Sequence, residues 1–417
     1  MDIKRDSYLQ KLISREENGM IKIVTGLRRC GKSYLLLRIF HKYLLEKGVD
    51  ESHIIEVALD DRSNIKLRNP DNMLKYVKEK VIDNKVYYVI LDEVQLLDEF
   101  EDVLNSFLHI RNADVYVTGS NSKFLSSDVI TEFRGRGDEI RIFPLNFREY
   151  LSAYNGSQDE AWDDYVMYGG LPFILNRKTP EEKEEYLISL FNTVYLSDII
   201  DRHHIRNKEE LDELINILAS ATGSLTNPLK LSKTFKSVKN KSISSTTLKK
   251  YADYLEDAFL INKAVRYDIK GKKYISSLAK YYFEDVGIRN AKLNFRQVEE
   301  NHLMENIIYN ELRNRGYRVD IGMVEYYGKN SLGKTTRKQY EIDFVASKGS
   351  KKYYIQSAFV INTPEKTQQE KNSLMHINDY FKRIIIIKDN IKPRRDEQGI
   401  VMMGIIYFLL DENSLEV

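Results

Sequence analysis

The sequence predicts an α/β protein of more than one domain, and three observations support this prediction. A chain of 417 residues is too long for a single hydrophobic core. Between residues 20 and 149, short apolar runs of strand length alternate with stretches of helical period. This alternation is typical of a parallel sheet with crossover helices. The predicted strands are Ile21–Thr25, Ile54–Leu59, Val86–Leu91, Val115–Thr118 and Ile140–Phe143.

The composition narrows the class of protein. Lys and Arg number 64 against 62 Asp and Glu, so a surface that binds nucleic acid must be local. A single cysteine, Cys30, excludes an intramolecular disulfide and fits a reducing compartment. The amino-terminal residues lack the apolar core of a signal peptide, and no run reaches the ~18 apolar residues of a membrane span. We therefore expect a cytoplasmic protein with no membrane partner.

A glycine-rich segment follows the first predicted strand and precedes a predicted helix. It matches the Walker A pattern G-x-x-x-x-G-K-[ST] with Gly26, Leu27, Arg28, Arg29, Cys30, Gly31, Lys32 and Ser33. Its glycines let backbone N–H groups face phosphate oxygens, and the helix adds its positive end. Lys32 is expected to reach the β- and γ-phosphates, and Ser33 to ligate Mg²⁺. The segment therefore predicts a P-loop that binds ATP with Mg²⁺.

An acidic pair at the end of the third predicted strand is the expected partner of this loop. The apolar run Val86–Leu91 leads directly into Asp92 and Glu93, which is a Walker B pattern. Asp92 is expected to hold Mg²⁺, and Glu93 to act as the base that orients the attacking water. The alternative is a strand that ends in a solvated acidic turn, and the nearby P-loop favours the functional interpretation.

Two further positions are candidates for catalysis. Asn121, or Ser120 beside it, follows the strand Val115–Thr118 and is expected to polarise the water together with Glu93; an ordinary turn is the alternative. Arg136, with Arg134 as second choice, lies among glycines, as an arginine finger on an exposed loop does. Surface arginines in a turn are the alternative there.

The second half of the chain predicts a lysine-rich helical unit. Helical patterns over Glu209–Ala221, Asn227–Phe235 and Ser245–Leu255 are followed by two strand-like runs, which is the pattern of a winged helix. Its lysines favour duplex DNA as a partner, and docking to a protein is the alternative. The basic residues concerned are Lys230, Lys233, Lys236, Lys239, Lys241, Lys249, Lys250, Lys263, Arg266, Lys270, Lys272 and Lys273.

A second match to the Walker A pattern, at residues 328–335, is rejected. No helical pattern follows it, and a strand-like run begins almost at once. A P-loop without its helix has neither the positive helix end nor a fixed lysine. We predict a hairpin loop at this position.

Two groups of motifs resemble known families. GLRRCGKS, YYVILDEVQ, VYVTGSNSKFLSSD, FRGRGDEIRIFPLNFREY and YGGLP resemble AAA+ ATPases of the AAA_14 kind. KYYFEDVGIRN, LMENIIYNELRNRGY and QYEIDFVA resemble the DUF4143 region that usually follows. The resemblance implies a P-loop NTPase sheet of the AAA+ (ASCE) type in residues 1–149 and a helical lid in 150–205. It further implies a winged helix in 206–276 and a degenerate PD-(D/E)XK nuclease-like α/β domain in 277–417. The resemblance to AAA+ ATPases also makes an oligomer a candidate for the assembly state of this protein.

The nuclease-like part departs from its pattern. Glu305 and Asp343 match metal-binding positions, but Gln356 stands in place of a carboxylate and Ala358 in place of a lysine. We therefore expect a binding role without nuclease activity, with a protein as a candidate partner; a divergent nuclease is the alternative. Two functions remain open: an ATPase coupled to DNA, and a slow ATP-dependent switch whose output is a protein contact.

Overall fold

A computed structural model describes residues 3–119, 135–239, 243–329, 335–359, 361 and 363–417 of the chain. The chain divides into two units, Met1–Pro144 and Leu145–Val417, the first ending five residues before the predicted boundary at 149. In this described part of the chain, no helix combines the length and the apolar character needed to cross a membrane.

The first unit contains the predicted parallel sheet. Its strands are β1 (Ile21–Gly26), β2 (Ile54–Ala58), β3 (Tyr87–Asp92), β4 (Ala113–Thr118) and β5 (Gly137–Ile142). All neighbours are parallel, in the order β2-β3-β4-β1-β5. β1 and β3 are buried along their whole length, because helices cover both faces of a parallel sheet and its strands are continuous apolar runs. The prediction of a parallel α/β sheet is confirmed.

Short helices precede the first strand and connect the strands that follow. They are α1 (Asp6–Ile13), α2 (Lys32–Tyr34), α3 (His41–Glu46), α4 (Pro70–Lys80) and α5 (Phe100–Phe107). A π-helical stretch, Leu35–Phe40, joins α2 to α3, and 3₁₀ turns lie at Glu51–His53, Arg62–Arg68 and Val94–Leu96. The core between sheet and helices is apolar, with Val77 of α4 and Phe107 of α5 packed against β3 and β4.

The second unit begins with helices and has further helices among its strands. They are α6 (Phe147–Ala153), α7 (Gln158–Tyr168), α8 (Pro180–Leu190), α9 (Ser197–Arg202), α10 (Lys208–Ser220), α11 (Pro228–Lys239), α12 (Ser245–Asp257), α13 (Val286–Lys292), α14 (Glu300–Asn314), α15 (Pro364–Met375) and α16 (Ile405–Leu410). A 3₁₀ turn lies at Pro172–Asn176 and a π-helical stretch at Phe191–Leu196. Side chains cap several of these helices; for example, Ser244 accepts a hydrogen bond from the N–H of Thr247 at the start of α12.

An eight-stranded mixed sheet completes the second unit, in the order β12-β13-β11-β10-β9-β8-β6-β7. The strands are β6 (Ile261–Asp268), β7 (Lys273–Phe283), β8 (Arg318–Lys329), β9 (Thr335–Lys348), β10 (Lys351–Ala358), β11 (Lys382–Ile387), β12 (Arg394–Arg395) and β13 (Val401–Gly404). The β8 and β9 strands pair as an antiparallel hairpin around the rejected Walker A match, and a strand rather than a helix follows it. Residues 330–334 of that match lie outside the described residues.

The predicted boundary between residues 276 and 277 falls inside β7, which the structure assigns as a strand from Lys273 to Phe283. The hairpin expected to be a separate wing belongs to the eight-stranded sheet, because β6 pairs in parallel with β8 through Arg266 and Ile321. β7 pairs with β6 on both sides of residues 276–278, where the register of the pairing shifts.

A buried carboxylate joins two of the motifs within the second unit. Asp285 accepts hydrogen bonds from the N–H of Gly170 at 2.7 Å and from the N–H of Ile288 at 3.0 Å. A Cβ atom at Gly169 would lie 2.2 Å from the Asp285 carboxylate, and one at Gly287 would lie 2.0 Å from the carbonyl oxygen of Tyr168. The glycines of the two motifs are therefore required by this close approach.

Candidate functional site

The P-loop lies at the carboxyl end of β1. Gly26, the last residue of the strand, has φ +140°, and a Cβ atom there would lie 2.2 Å from the carbonyl oxygen of Ile142 on the neighbouring strand β5. Gly31 has φ +103° immediately before the helix begins at Lys32. Both positions need glycine, because other residues rarely adopt such a backbone. The loop therefore has the sharp turn and the helix start that its sequence predicted.

Lys32 directs its ammonium group into the loop. Its side chain is buried, and Nζ donates hydrogen bonds to the carbonyl oxygens of Gly26 at 3.0 Å and Leu27 at 3.1 Å. A buried ammonium group requires such partners, since burying a charge without them is costly. These bonds hold the positive charge within the curve of residues 26–31.

The remaining loop residues differ in exposure. Leu27 and Cys30 are fully buried, and the thiol of Cys30 donates to the carbonyl oxygen of Ile142 at 3.8 Å. Arg28 is half-buried, whereas Arg29 is exposed and has φ +69°. The side chains of Leu27 and Cys30 therefore fill space below the loop, and the arginines lie toward its outer side.

Ser33 and Asp92, the two predicted metal ligands, are in hydrogen-bonding contact. Asp92 ends β3 and is 4% exposed. Burial raises the pKa of its carboxyl group, while hydrogen bonds from Thr118 and Ser33 oppose that rise. A hydroxyl and a carboxylate oxygen side by side are donors that Mg²⁺ accepts, so these residues fit that ion.

Glu93 follows in a constrained backbone. Its φ is +52°, an uncommon value for a residue with a side chain, and the turn Val94–Leu96 begins directly after it. Its backbone N–H donates to the Thr118 hydroxyl at 2.9 Å, and its carboxylate accepts a hydrogen bond from the amide of Gln95. The backbone and the carboxylate of Glu93 are thus both held by hydrogen bonds.

Thr118 is a site residue that the sequence reasoning missed. As the last residue of β4, it is fully buried and donates a hydrogen bond to Asp92 while accepting the one from Glu93. β4 lies between β1 and β3, so its carboxyl end meets both motifs. The sequence signal that could have identified Thr118 is a polar residue at the end of an apolar strand, in the strand that neighbours the one with the acidic pair.

Among the other predicted catalytic residues, the structure describes Arg136, which does not lie at this edge of the sheet. Asn121, Ser120 and Arg134 lie outside the described residues. Arg136 is exposed and precedes β5, and its carbonyl oxygen accepts a hydrogen bond from the N–H of Ile21 at the start of β1. The six residues of β1 span about 16–20 Å at ~3.3 Å per residue. Arg136 therefore lies at the opposite edge from the P-loop of its own chain.

A second cluster of charged side chains lies in the eight-stranded sheet. Glu305 of α14 and Asp343 of β9, the two positions expected to bind metal, both contact Lys280 of β7. Nζ of Lys280 lies 2.9 Å from Glu305 Oε1, 3.3 Å from Asp343 Oδ1 and 2.9 Å from Glu341 Oε1. Burial alone would lower the pKa of Lys280, but the three carboxylates outweigh it and the pKa is raised.

Gln356 and Ala358 lie beside this cluster on β10. The backbone N–H of Asp343 donates to the Gln356 side-chain oxygen at 3.4 Å, and Ala358 is buried. Burial raises the pKa of Glu305, while the charge of Lys280 acts against that rise. Sequence reasoning missed Lys280, since it lies 63 residues before Asp343 and the nuclease pattern begins only at Glu305.

Two family models match the chain. One, AAA_14, is described as an AAA domain and covers residues 18–151; the other is a domain of unknown function, DUF8612, and covers residues 159–299. The name DUF4143 expected for the later part is therefore corrected to DUF8612. The DUF8612 match includes both Gly170 and Asp285, so the buried hydrogen bond between these two residues lies within one family domain.

Relatives and solved structures are similar to this chain over most of its length. An uncharacterized protein of Haemophilus influenzae is 35% identical over 415 residues, 98% of each chain. An uncharacterized protein of Methanocaldococcus jannaschii is 28% identical over 84% of this chain and 77% of its own. The Aeropyrum pernix ORC1 protein in complex with DNA is 11% identical over 70% of this chain and 92% of that chain, with a TM-score of 0.28.

The Saccharomyces cerevisiae Hsp104–ADP complex is 12% identical over 76% of this chain and 42% of that chain, with a TM-score of 0.31. Structural scores this low carry no argument about this protein. The sequence matches do, because they extend over nearly the whole chain and over its P-loop unit. The chain therefore belongs to the same family as the Haemophilus influenzae protein, and residues 18–151 are its AAA domain.

Proposed function

We propose that the protein is a Mg²⁺-dependent ATPase of the AAA+ class that couples hydrolysis to binding of duplex DNA. The observation that carries the ATPase part is the meeting of Lys32, Ser33, Asp92, Glu93 and Thr118 at one edge of a parallel sheet. Polar groups that converge from separate strand ends onto a P-loop are arranged for phosphoryl transfer to water.

Each residue has a task in this proposal. The N–H groups of residues 27–33 and the Lys32 ammonium group bind phosphate oxygens. To do so, Lys32 gives up its hydrogen bonds to the carbonyl oxygens of Gly26 and Leu27. Ser33 and Asp92 hold Mg²⁺, which supplies charge neutralisation at the β- and γ-phosphates when bound. Glu93 orients the water and accepts its proton. Thr118 fixes Asp92 and the Glu93 backbone in one arrangement. Asn121 is proposed to polarise the same water.

The first test is steady-state ATP hydrolysis with Mg²⁺. Glu93→Gln keeps the size of the side chain but removes the base, so turnover should fall by a factor of about 10² or more while ATP still binds. Lys32→Ala should remove nucleotide binding as well. Turnover that is unchanged in both variants would reject the site.

The DNA part rests on exposed lysines of the helices α11 and α12 and of the β6–β7 hairpin. Lys249 and Lys250 are exposed on α12, and Lys270 and Lys272 are exposed at the hairpin turn. We propose that α12 contacts a groove and the turn contacts phosphates, with the hairpin fixed by its place in the sheet. The helices from α6 to α9 are proposed to act as a lid on the ATPase.

Stimulation of hydrolysis by duplex DNA tests this coupling. The double variant Lys249→Gln/Lys250→Gln should reduce the stimulation and flatten its dependence on salt, because fewer phosphates are neutralised. The matched control is Lys75→Gln/Lys78→Gln, which removes two exposed lysines of α4 in the first unit. Equal stimulation of both double variants would exclude α12 as the contact.

A second candidate function is an ATP-dependent switch that contacts a protein. A cavity of about 530 Å³ in the second unit favours it, and its lining residues are Leu196, Ile200, Lys208, Glu209, Glu210, Asp212, Glu213 and Phe235. Its carboxylates would repel DNA phosphates but attract a cationic protein segment, whose apolar side chains its apolar part could contact. Turnover indifferent to DNA would favour this function. In both functions we propose that the unit with the eight-stranded sheet does not cleave DNA, because Gln356 and Ala358 stand where the nuclease pattern has a carboxylate and a lysine.

A further inference from the structure

The charged cluster of the eight-stranded sheet is built around a single ammonium group. Lys280 is 3% exposed and comes from the middle of β7. Its Nζ lies within 3.3 Å of one oxygen from each of Glu305, Glu341 and Asp343. An ammonium group carries three protons, so these three acceptors satisfy all of its hydrogen bonds.

The carboxylates are committed to this arrangement by their other partners. Oε1 of Glu305 also accepts a hydrogen bond from the hydroxyl of Tyr282 at 2.6 Å. Oδ2 of Asp343 accepts from the backbone N–H of Ser357 at 2.9 Å. The backbone of Gly223 closes one side, because a Cβ atom there would lie 3.1 Å from the Glu305 carboxylate. Neighbouring groups thus hold the Glu305 and Asp343 oxygens in place around Lys280.

A divalent metal ion does not fit this set of donors. Mg²⁺ requires oxygens at ~2.0–2.1 Å in near-octahedral geometry. The oxygens that would supply it surround Nζ of Lys280 at hydrogen-bonding distance instead. Gln356 contributes a neutral oxygen where the nuclease pattern has a carboxylate, and that oxygen accepts from the Asp343 N–H and the Ser373 hydroxyl.

We propose that Lys280 is the resident cation of this cluster, so that Glu305, Glu341 and Asp343 bind its ammonium group in place of a metal ion. Lys280 then ties β7 to α14 and β9 by charge, and the site is closed to the ion that phosphodiester cleavage requires. This inference rests in part on the proposed lack of DNA cleavage. It gives that lack a physical cause, the ammonium group of Lys280, which is independent of the ATPase site.

Binding of Mn²⁺ to the full-length protein tests the proposal without any change at Lys280. The protein is treated with a chelator, dialysed and titrated with Mn²⁺ in the absence of nucleotide, beside Asp343→Asn. We expect the two titrations to be the same, because Asp343 holds no metal. A Mn²⁺ site present in the wild-type protein and lost in Asp343→Asn would overturn the proposal, whether or not any variant at Lys280 folds.

Replacement of the lysine gives a second, independent measurement. Lys280→Met should lower the thermal unfolding midpoint in the presence of a chelator, because three carboxylates lose their cation, and added Mn²⁺ should raise that midpoint. Lys273→Met is the matched control, since Lys273 is exposed on the same strand. A Lys280→Met protein as stable as the wild type in chelator would overturn the proposal.

A DNA cleavage assay separates this inference from the proposed function. Mn²⁺ bound through Asp343 without cleavage would overturn the role of Lys280 alone. Cleavage that is abolished by Asp343→Asn would overturn both. ATP hydrolysis, which depends on the first unit, tests the ATPase part of the proposed function and does not report on Lys280.

Discussion

The hydroxyl group of Thr118 donates a hydrogen bond to the carboxylate of Asp92 at the end of the adjacent strand. The same oxygen accepts the backbone N–H of Glu93 at 2.9 Å. One side chain from β4 therefore orients a proposed metal ligand and fixes the backbone of the proposed base. The sheet order makes this contact available, because β4 lies between the P-loop strand and the acidic strand.

Thr118→Val should lower the turnover number for ATP by about 10- to 100-fold, the usual cost of losing a group that orients a metal ligand. Valine keeps the shape of threonine but leaves the Glu93 N–H without its acceptor. We expect the Mg²⁺ concentration for half-maximal rate to rise, with a smaller change in the KM for ATP. A purely structural role would lower the unfolding midpoint without moving the Mg²⁺ dependence.

The matched control is Thr118→Ser, which retains the hydroxyl group. Its Mg²⁺ dependence should stay close to that of the wild-type protein. If serine and valine have the same effect, the hydrogen bonds of Thr118 are not what the site requires.

Gly26→Ala should abolish nucleotide binding and destabilise the first unit by roughly 1–3 kcal/mol, the usual cost of a strained backbone. The added Cβ atom would meet the carbonyl oxygen of Ile142 at 2.2 Å, and only movement of backbone would relieve this contact. Binding of a fluorescent ATP analogue and the unfolding midpoint measure the two effects.

Gly48→Ala separates crowding from backbone strain. Gly48 also has a positive φ, +94°, but nothing lies within 4 Å of a Cβ atom built there. Alanine at this position should cost roughly 1–2 kcal/mol of stability and leave ATP binding intact. Equal loss of ATP binding in both variants would show that the contact with Ile142 is not decisive.

Much of the nucleotide site follows from local sequence. The pattern Gly26–Ser33 fixes a loop, and the Asp92–Glu93 pair ends a strand; both are contiguous in sequence. In a parallel sheet all carboxyl ends share one edge, so a strand prediction also brings the two motifs together. The same reasoning did not find Thr118, because a threonine that ends an apolar strand has no distinctive pattern of its own.

Features that depend on pairing between distant segments were not predictable in this way. Lys280 reaches Glu305 and Asp343 only because β7 joins the eight-stranded sheet beside β6. The sequence around the hairpin indicates two strands and a turn, but not the sheet they join. The glycines around Arg136 predict an exposed loop, but strand direction decides where this residue lies, at the amino-terminal end of β5.

If Arg136 contributes to hydrolysis, it must act on the P-loop of another copy of the chain, because it lies at the far edge of its own sheet. Arg136→Ala should then be inactive alone, and so should Lys32→Ala. A mixture of the two should regain activity, since a site with an intact P-loop can receive an intact arginine. The measurement is turnover of the mixture as a function of total protein concentration.

Arg111→Ala, which replaces an exposed arginine elsewhere in the first unit, is the control for loss of charge. Its turnover should match that of the wild type. A mixture no more active than the average of its two components, at concentrations where subunits associate, would exclude Arg136 as a residue acting between subunits.

Asp285 predicts a specific pH dependence of stability. It is 3% exposed, and burial raises the pKa of its carboxyl group from 3.8 to about 6, although N–H groups of Gly170, Ile288 and Gly287 act in the opposite direction. The folded state therefore binds more protons than the unfolded state between these two values. By linkage, this residue makes the free energy of unfolding fall as pH rises from about 4 to 6, by roughly 3 kcal/mol at most.

Asp285→Asn removes this titration but replaces one acceptor oxygen with an amide that cannot accept the backbone N–H groups. The variant should lose about 1–3 kcal/mol relative to the wild type at pH 5, and the difference should shrink at pH 7, where the wild-type carboxylate is ionised and desolvated. Urea unfolding at both pH values measures the two differences. Asp163→Asn, at an exposed position of α7, should change neither. A loss of stability in Asp285→Asn that is larger at pH 7 than at pH 5 would contradict this prediction. It would mean that the folded state prefers the ionised carboxylate, because the three N–H donors outweigh burial.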